Sequence, residues 1–150
     1  MDMTPGIRTF IVEDNATIRE NLIDTLEELA QIRMVGVAEG ERESCSWLAA
    51  HAHRWDLAIV DLFLKQGSGL GVLSACKERL PHQRVVVLSN YATPDVRTRC
   101  LKLGADAVFD KSNDIDALLD YCIAYARQTP WTTADLDPSA LVGLTQTSAT

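Results

Sequence analysis

The sequence lacks any excess of positive charge. Fourteen Lys and Arg stand against 21 Asp and Glu, a formal net charge of −7 over 150 residues. A domain that binds nucleic acid with its own surface carries a basic face, so direct DNA or RNA binding is not expected. Long apolar runs are missing too, and none approaches the roughly 18 residues a membrane helix needs. The opening MDMTPGIRTF shows no charged-then-apolar signal pattern. A cytoplasmic protein with no membrane association is expected. Cysteine is scarce: Cys45, Cys76, Cys100 and Cys122 form no C-x-x-C pair and fall in helix-like stretches. That spacing argues against structural zinc and for reduced packing residues. His51, His53 and His82 stand at no strand end and read as surface residues.

What remains is ordinary globular material, 47% hydrophobic and 23% charged. The length favours one domain, which at this size buries roughly two-thirds of its unfolded surface without disulfide or metal. Short β-branched runs alternate with longer amphipathic stretches. Strands are expected at Arg8 to Val12, Met34 to Ala38, Leu57 to Val60, Arg84 to Leu88 and Ala107 to Phe109. Helices are expected at Ala16 to Ala30, Glu41 to His53, about Leu70 to Leu80, about Pro94 to Leu103, and from an Asp114 cap to about Arg127. Asn15 and Thr93 are suited to N-caps, Pro94 to a first helical position and Gly104 to a helix end. Tyr121 and Tyr125 form a packing stripe on the last helix. From about Gln128 a Thr-, Ser- and Pro-containing tail begins, docked in part by Trp131 and Leu136.

Five strand–helix pairs imply an α/β fold, a doubly wound (βα)5 parallel sheet with helices on both faces. The strands are apolar throughout, as in a sheet buried on both sides. Ligands bind such sheets beyond the carboxyl ends of the strands. In the flavodoxin-like order 2-1-3-4-5, the first, third, fourth and fifth strands lie side by side. They end in Glu13-Asp14, Asp61, Ser89 and Lys111, so one crevice collects them, while Glu39 stays outside at the edge. Clustered carboxylates stay ionised only with a cation among them. Mg²⁺ suits a few protein oxygens with water completing its shell. Beside Mg²⁺ a carboxylate can attack a phosphoryl group and become an aspartyl phosphate, with Ser89 and Lys111 as hydroxyl and ammonium donors.

The segments FIVEDN, LAIVDLFL, GSGLGVL, VVVLSN and GADAVFDKS, in this order, resemble the receiver domains of two-component response regulators. The resemblance covers about residues 7 to 127, so a receiver is expected over 1–127 with a tail over 128–150. It implies Asp61 as phosphoacceptor and Glu13, Asp14, Asp61 and the Phe63 carbonyl as Mg²⁺ ligands. It further implies Ser89 as switch hydroxyl and Lys111 as phosphate partner. The expected donor is a histidine kinase or histidine phosphotransfer protein, and output runs through a downstream protein partner. A homodimer through the face of the fourth helix, fifth strand and fifth helix is a further expectation. The chain departs from the family at Ser112, Val108, Asn90 and Lys65. Val108 puts no aromatic ring at the usual switch position, for which Phe109 or Tyr91 is a substitute. The implied activity is a self-phosphorylating switch rather than an enzyme. The alternatives are a receiver-like binding scaffold no longer phosphorylated, and a phosphatase of the haloacid dehalogenase type. The latter chemistry wants an acid two residues after Asp61, where Phe63 stands.

Overall fold

The structure, a computed structural model, describes residues 6–128. Trp131 and Leu136, expected to dock the tail, lie outside the described residues. The elements alternate as β1 (Ile7–Val12), α1 (Ala16–Leu29), β2 (Ile32–Ala38), α2 (Glu41–Ala50), β3 (Leu57–Val60), α3 (Gly69–Ala75), β4 (Arg84–Ser89), α4 (Pro94–Lys102), β5 (Ala107–Asp110) and α5 (Ile115–Gln128). The strands form one five-stranded parallel sheet in the order β2-β1-β3-β4-β5. This is the expected flavodoxin-like topology.

Successive strand residues point to opposite faces, and both faces are apolar. Phe10, Val12, Ala58, Val60, Val85 and Val87 pack with Leu48, Trp55, Val72, Leu73, Cys76 and Cys100. Ile7, Ile11, Leu57, Ile59, Val86 and Leu88 pack on the other side with Leu22, Leu26, Leu118, Cys122 and Tyr125. Each fully buried aliphatic side chain contributes roughly 1.5–3 kcal/mol. The two layers thus carry the fold and leave the strand ends free for polar groups. All four cysteines are free; three are buried and Cys45 is half-buried.

Local signals set the helix starts. The Asn15 side chain accepts from Ile18 N–H, and the Thr93 hydroxyl accepts from Val96 N–H ahead of Pro94. Gly104 closes α4 with φ +103°, where a side chain would be strained. Four expectations need correction. The third helix stops at Ala75 instead of about Leu80. There the Arg79 guanidinium binds the carbonyls of Cys76, Gln83 and Gly104 and the Asp106 carboxylate, drawing residues 76–80 off the helical path. The second helix ends at Ala50, and the half-buried His51 bonds its ring Nδ1 to the Trp47 carbonyl. Asp114 stands at the start of α5 with its carbonyl accepting from Leu118 N–H, but its carboxylate turns back to Asp110 N–H and Arg97 instead of capping the helix. His82 is half-buried instead of a free surface residue, with its ring on Asp56.

Candidate functional site

Backbone bonds carry the acids to the ends of the sheet. Glu13 N–H donates to Ala38 O at 3.0 Å and Asp61 N–H to Val12 O at 3.0 Å, so both continue the ladder just past β1 and β3. Lys111 N–H donates to Ser89 O at 2.9 Å and holds the β5–α5 turn against β4. The Lys111 ammonium then reaches across the sheet end. It donates to Glu13 Oε1 at 2.5 Å and to Asp61 Oδ2 at 3.0 Å.

Glu13, Asp14 and Asp61 each offer a carboxylate oxygen, and these oxygens lie within 4.8 Å of one another. Glu13 is 3% exposed and Asp61 6%. Further donors orient each acid. Phe63 N–H donates to Asp61 Oδ1, Asn15 N–H to Glu13 Oε2 and Lys65 N–H to Asp14 Oδ2. The structure therefore brings Glu13, Asp14, Asp61 and Lys111 together. Glu39 stays outside this cluster, exposed and paired with Arg19.

One ammonium serves two carboxylates, and the titration of the group reflects that. Burial pushes the Asp61 carboxyl above its ordinary range, and the Glu13 charge adds to this despite the opposing pull of Lys111. Burial alone would lower Lys111. Its hydrogen bond to Glu13 and the Asp61 charge outweigh that and hold the amine above its usual value. The pocket keeps a charged lysine and is left with surplus negative charge. Three hard carboxylate oxygens so close together fit a divalent cation such as Mg²⁺.

Ser89 is fully buried at the end of β4, and its hydroxyl accepts from Tyr91 N–H at 3.1 Å. Phe63 and Tyr91 project from the two neighbouring loops. Their rings meet edge-on, 5.2 Å apart at 79°, and both are more than half exposed. Val108 is buried within β5, and Phe109 packs edge-on against Tyr121 inside the α5 layer.

Sequence reasoning missed three groups around the site. Ser68 caps α3 through Leu70 N–H. Arg19 binds the Glu13 carbonyl at 2.8 Å, and Arg97 spans the β4–α4 and β5–α5 loops. Ser68, which precedes a helical stretch, had a readable signal. The two arginines had none, because each looks like one more charge on a solvated helix face.

Comparison with known proteins agrees with this fold. The photosynthetic apparatus regulatory protein RegA of Cereibacter sphaeroides is 28% identical over 122 residues, covering 80% of this chain and 63% of its own. The response regulator domain of Thermotoga maritima CheB superposes with a TM-score of 0.71 at 20% identity, over 84% of this chain and all of that one. The phosphorylated cyanobacterial phytochrome response regulator RcpA superposes with a TM-score of 0.62 at 27% identity, over 80% of this chain and 91% of that one. The chain spans 30% to 63% of the length of the eight curated relatives compared. The family described as the response regulator receiver domain matches residues 9–122. With its five parallel strands and its acids at their carboxyl ends, the chain belongs to the response regulator receiver family.

Proposed function

We propose that the chain is a phosphorylation-controlled signalling switch, with Asp61 as the phosphoacceptor. One observation carries this reading: Asp61 is a buried carboxylate that shares one lysine with Glu13, and oxygens of Asp61, Glu13 and Asp14 lie within 4.8 Å of one another. Glu13, Asp14, Asp61 and the Phe63 carbonyl hold Mg²⁺. When bound, the ion neutralises charge on the transferred phosphoryl oxygens. An Asp61 oxygen attacks phosphorus, the bond to the donor breaks, and the donor leaves with its electron pair. Lys111 then pairs with the new phosphoryl oxygens, and the Ser89 hydroxyl turns from Tyr91 N–H to donate to one of them. Ser89 ends β4 and Lys111 follows β5, so this inward pull repacks the α4–β5–α5 face.

The donor is a histidine kinase or histidine phosphotransfer protein. Output passes through protein contacts at the α4–β5–α5 face, a second copy of the chain among the partners. The receiver spans 1–127 and the tail 128–150. The site of action is cytoplasmic; among the described residues no helix is long and apolar enough to cross a membrane. The chain is a switch rather than an enzyme, and Phe63 stands where haloacid dehalogenase-type phosphatase chemistry wants an acid. RcpA, at 27% identity, is described as phosphorylated, which adds support.

Intact mass after incubation with acetyl phosphate and Mg²⁺ tests the proposal. One added phosphoryl group is expected, lost in Asp61→Asn and without metal. No adduct under any condition selects the binding scaffold. Steady phosphate release from unrelated esters selects the phosphatase.

A further inference from the structure

Glu13 is the residue at which β1 becomes a site. Its N–H still belongs to the sheet, bonded to Ala38 O, but its carbonyl lies beyond the ladder, since Asp61 N–H is taken by Val12 O. A carbonyl on a buried residue needs a donor. Arg19, in the first turn of α1, supplies it through Nη1 at 2.8 Å. The same nitrogen stands 3.2 Å from Glu39 Oε2 at the end of β2, and the Arg19 side chain is only 15% exposed. The guanidinium thus ties together the ends of two strands and the start of a helix.

The Glu13 carbonyl shares one rigid peptide plane with Asp14 N and Cα. Fixing that carbonyl fixes the direction in which Asp14 leaves the strand, and with it the separation of the two acids. We propose that Arg19 is a positioning residue for the cation site, acting through the Glu13 peptide. This inference rests on the reading that Glu13, Asp14 and Asp61 hold Mg²⁺. Charge and geometry here pull in opposite directions. A guanidinium beside a cation site repels the cation, so charge alone makes its removal favour Mg²⁺. Positioning makes its removal weaken Mg²⁺, as loss of an outer partner does in metal sites.

The experiment is calorimetric titration of the full chain with Mg²⁺ alone, with far-UV circular dichroism of the metal-free protein as the check on folding. Arg19→Ala is expected to bind Mg²⁺ about tenfold more weakly than the wild type. Arg19→Lys keeps a donor for the Glu13 carbonyl and is expected to recover most of that loss. If Arg19→Ala does not fold, Arg19→Met, which keeps the apolar stem, replaces it with the same expected loss. Wild type that binds Mg²⁺ while the truncated variant binds equally or more tightly overturns the inference and leaves the site reading intact. Wild type that binds no Mg²⁺ overturns both.

Discussion

The guanidinium of Arg97 on α4 donates to the backbone carbonyl of Val108 in β5 at 2.8 Å. It also holds Ala92 O at 2.9 Å and Asp114 Oδ2 at 3.2 Å. Val108 brings no ring to this place, so an arginine clamp joins the loop after Ser89 to the loop around Lys111. Arg97→Ala leaves two carbonyls without their donor and should lower stability by about 1–3 kcal/mol. Arg97→Lys keeps at most one of the forked bonds and should recover less than half of that. Urea unfolding shows this as a lower midpoint at an unchanged slope.

A second charged cluster lies at the opposite pole of the sheet. Asp56 is buried, bound by Arg8 through its backbone N–H and guanidinium and by His82 Nε2 at 3.0 Å. Burial pushes its carboxyl up, but the hydrogen bonds from His82 and Arg8 prevail and hold it at about 2, below the ordinary 3.8. A carboxyl lowered by folding stabilises the protein above its unfolded pKa, and the gain is lost as pH falls through the folded one. The loss therefore falls between pH 3.8 and about 2 and amounts to about 2 kcal/mol. Urea unfolding free energies across that window should drop less steeply, by about this amount, in Asp56→Asn.

The sequence made legible whatever is local. Strand runs, the Asn15 and Thr93 caps and the Gly104 helix end depend on residues within one turn, and all three features are present. The convergence of Glu13, Asp14, Asp61 and Lys111 was legible for another reason: the parallel order alone puts strand ends side by side. What stayed hidden depends on long side chains crossing between elements. Arg79 ends α3 by reaching Gly104 and Asp106, and His82 leaves the surface for Asp56. No spacing along the chain encodes those reaches, because each joins connecting segments that only the folded sheet brings together.

The surplus negative charge of the pocket should be measurable as lost stability. The Asp61 carboxyl is raised by burial and by Glu13. A carboxyl raised by folding destabilises the protein above its folded pKa, and that penalty is relieved as pH falls through it. Asp61→Asn removes the penalty and should stabilise the metal-free protein at neutral pH by about 0.5–2 kcal/mol. Saturating Mg²⁺ should narrow the gap by stabilising the wild type more. Urea unfolding in a chelator and in Mg²⁺ gives both numbers.

Gly69 opens α3 directly beneath Asp61, and its N–H donates to Leu62 O at 2.9 Å. A Cβ there runs into the Asp61 carbonyl and the Leu62 Cα, both backbone atoms that have no rotamer to escape into. Gly71, one turn edge away, differs in kind: a Cβ there meets the Glu41 carboxylate, the far end of a flexible side chain. Gly69→Ala should therefore cost roughly 1–3 kcal/mol and displace Asp61, weakening Mg²⁺ binding with it. Gly71→Ala forces Glu41 to swing and risks only its bond to Ser68 N–H, a change worth about 1 kcal/mol. Unfolding midpoints of the two variants, each paired with a Mg²⁺ titration, test the contrast. Equal stability loss with unchanged Mg²⁺ affinity in both would show that the Asp61 backbone yields where a rigid contact is expected.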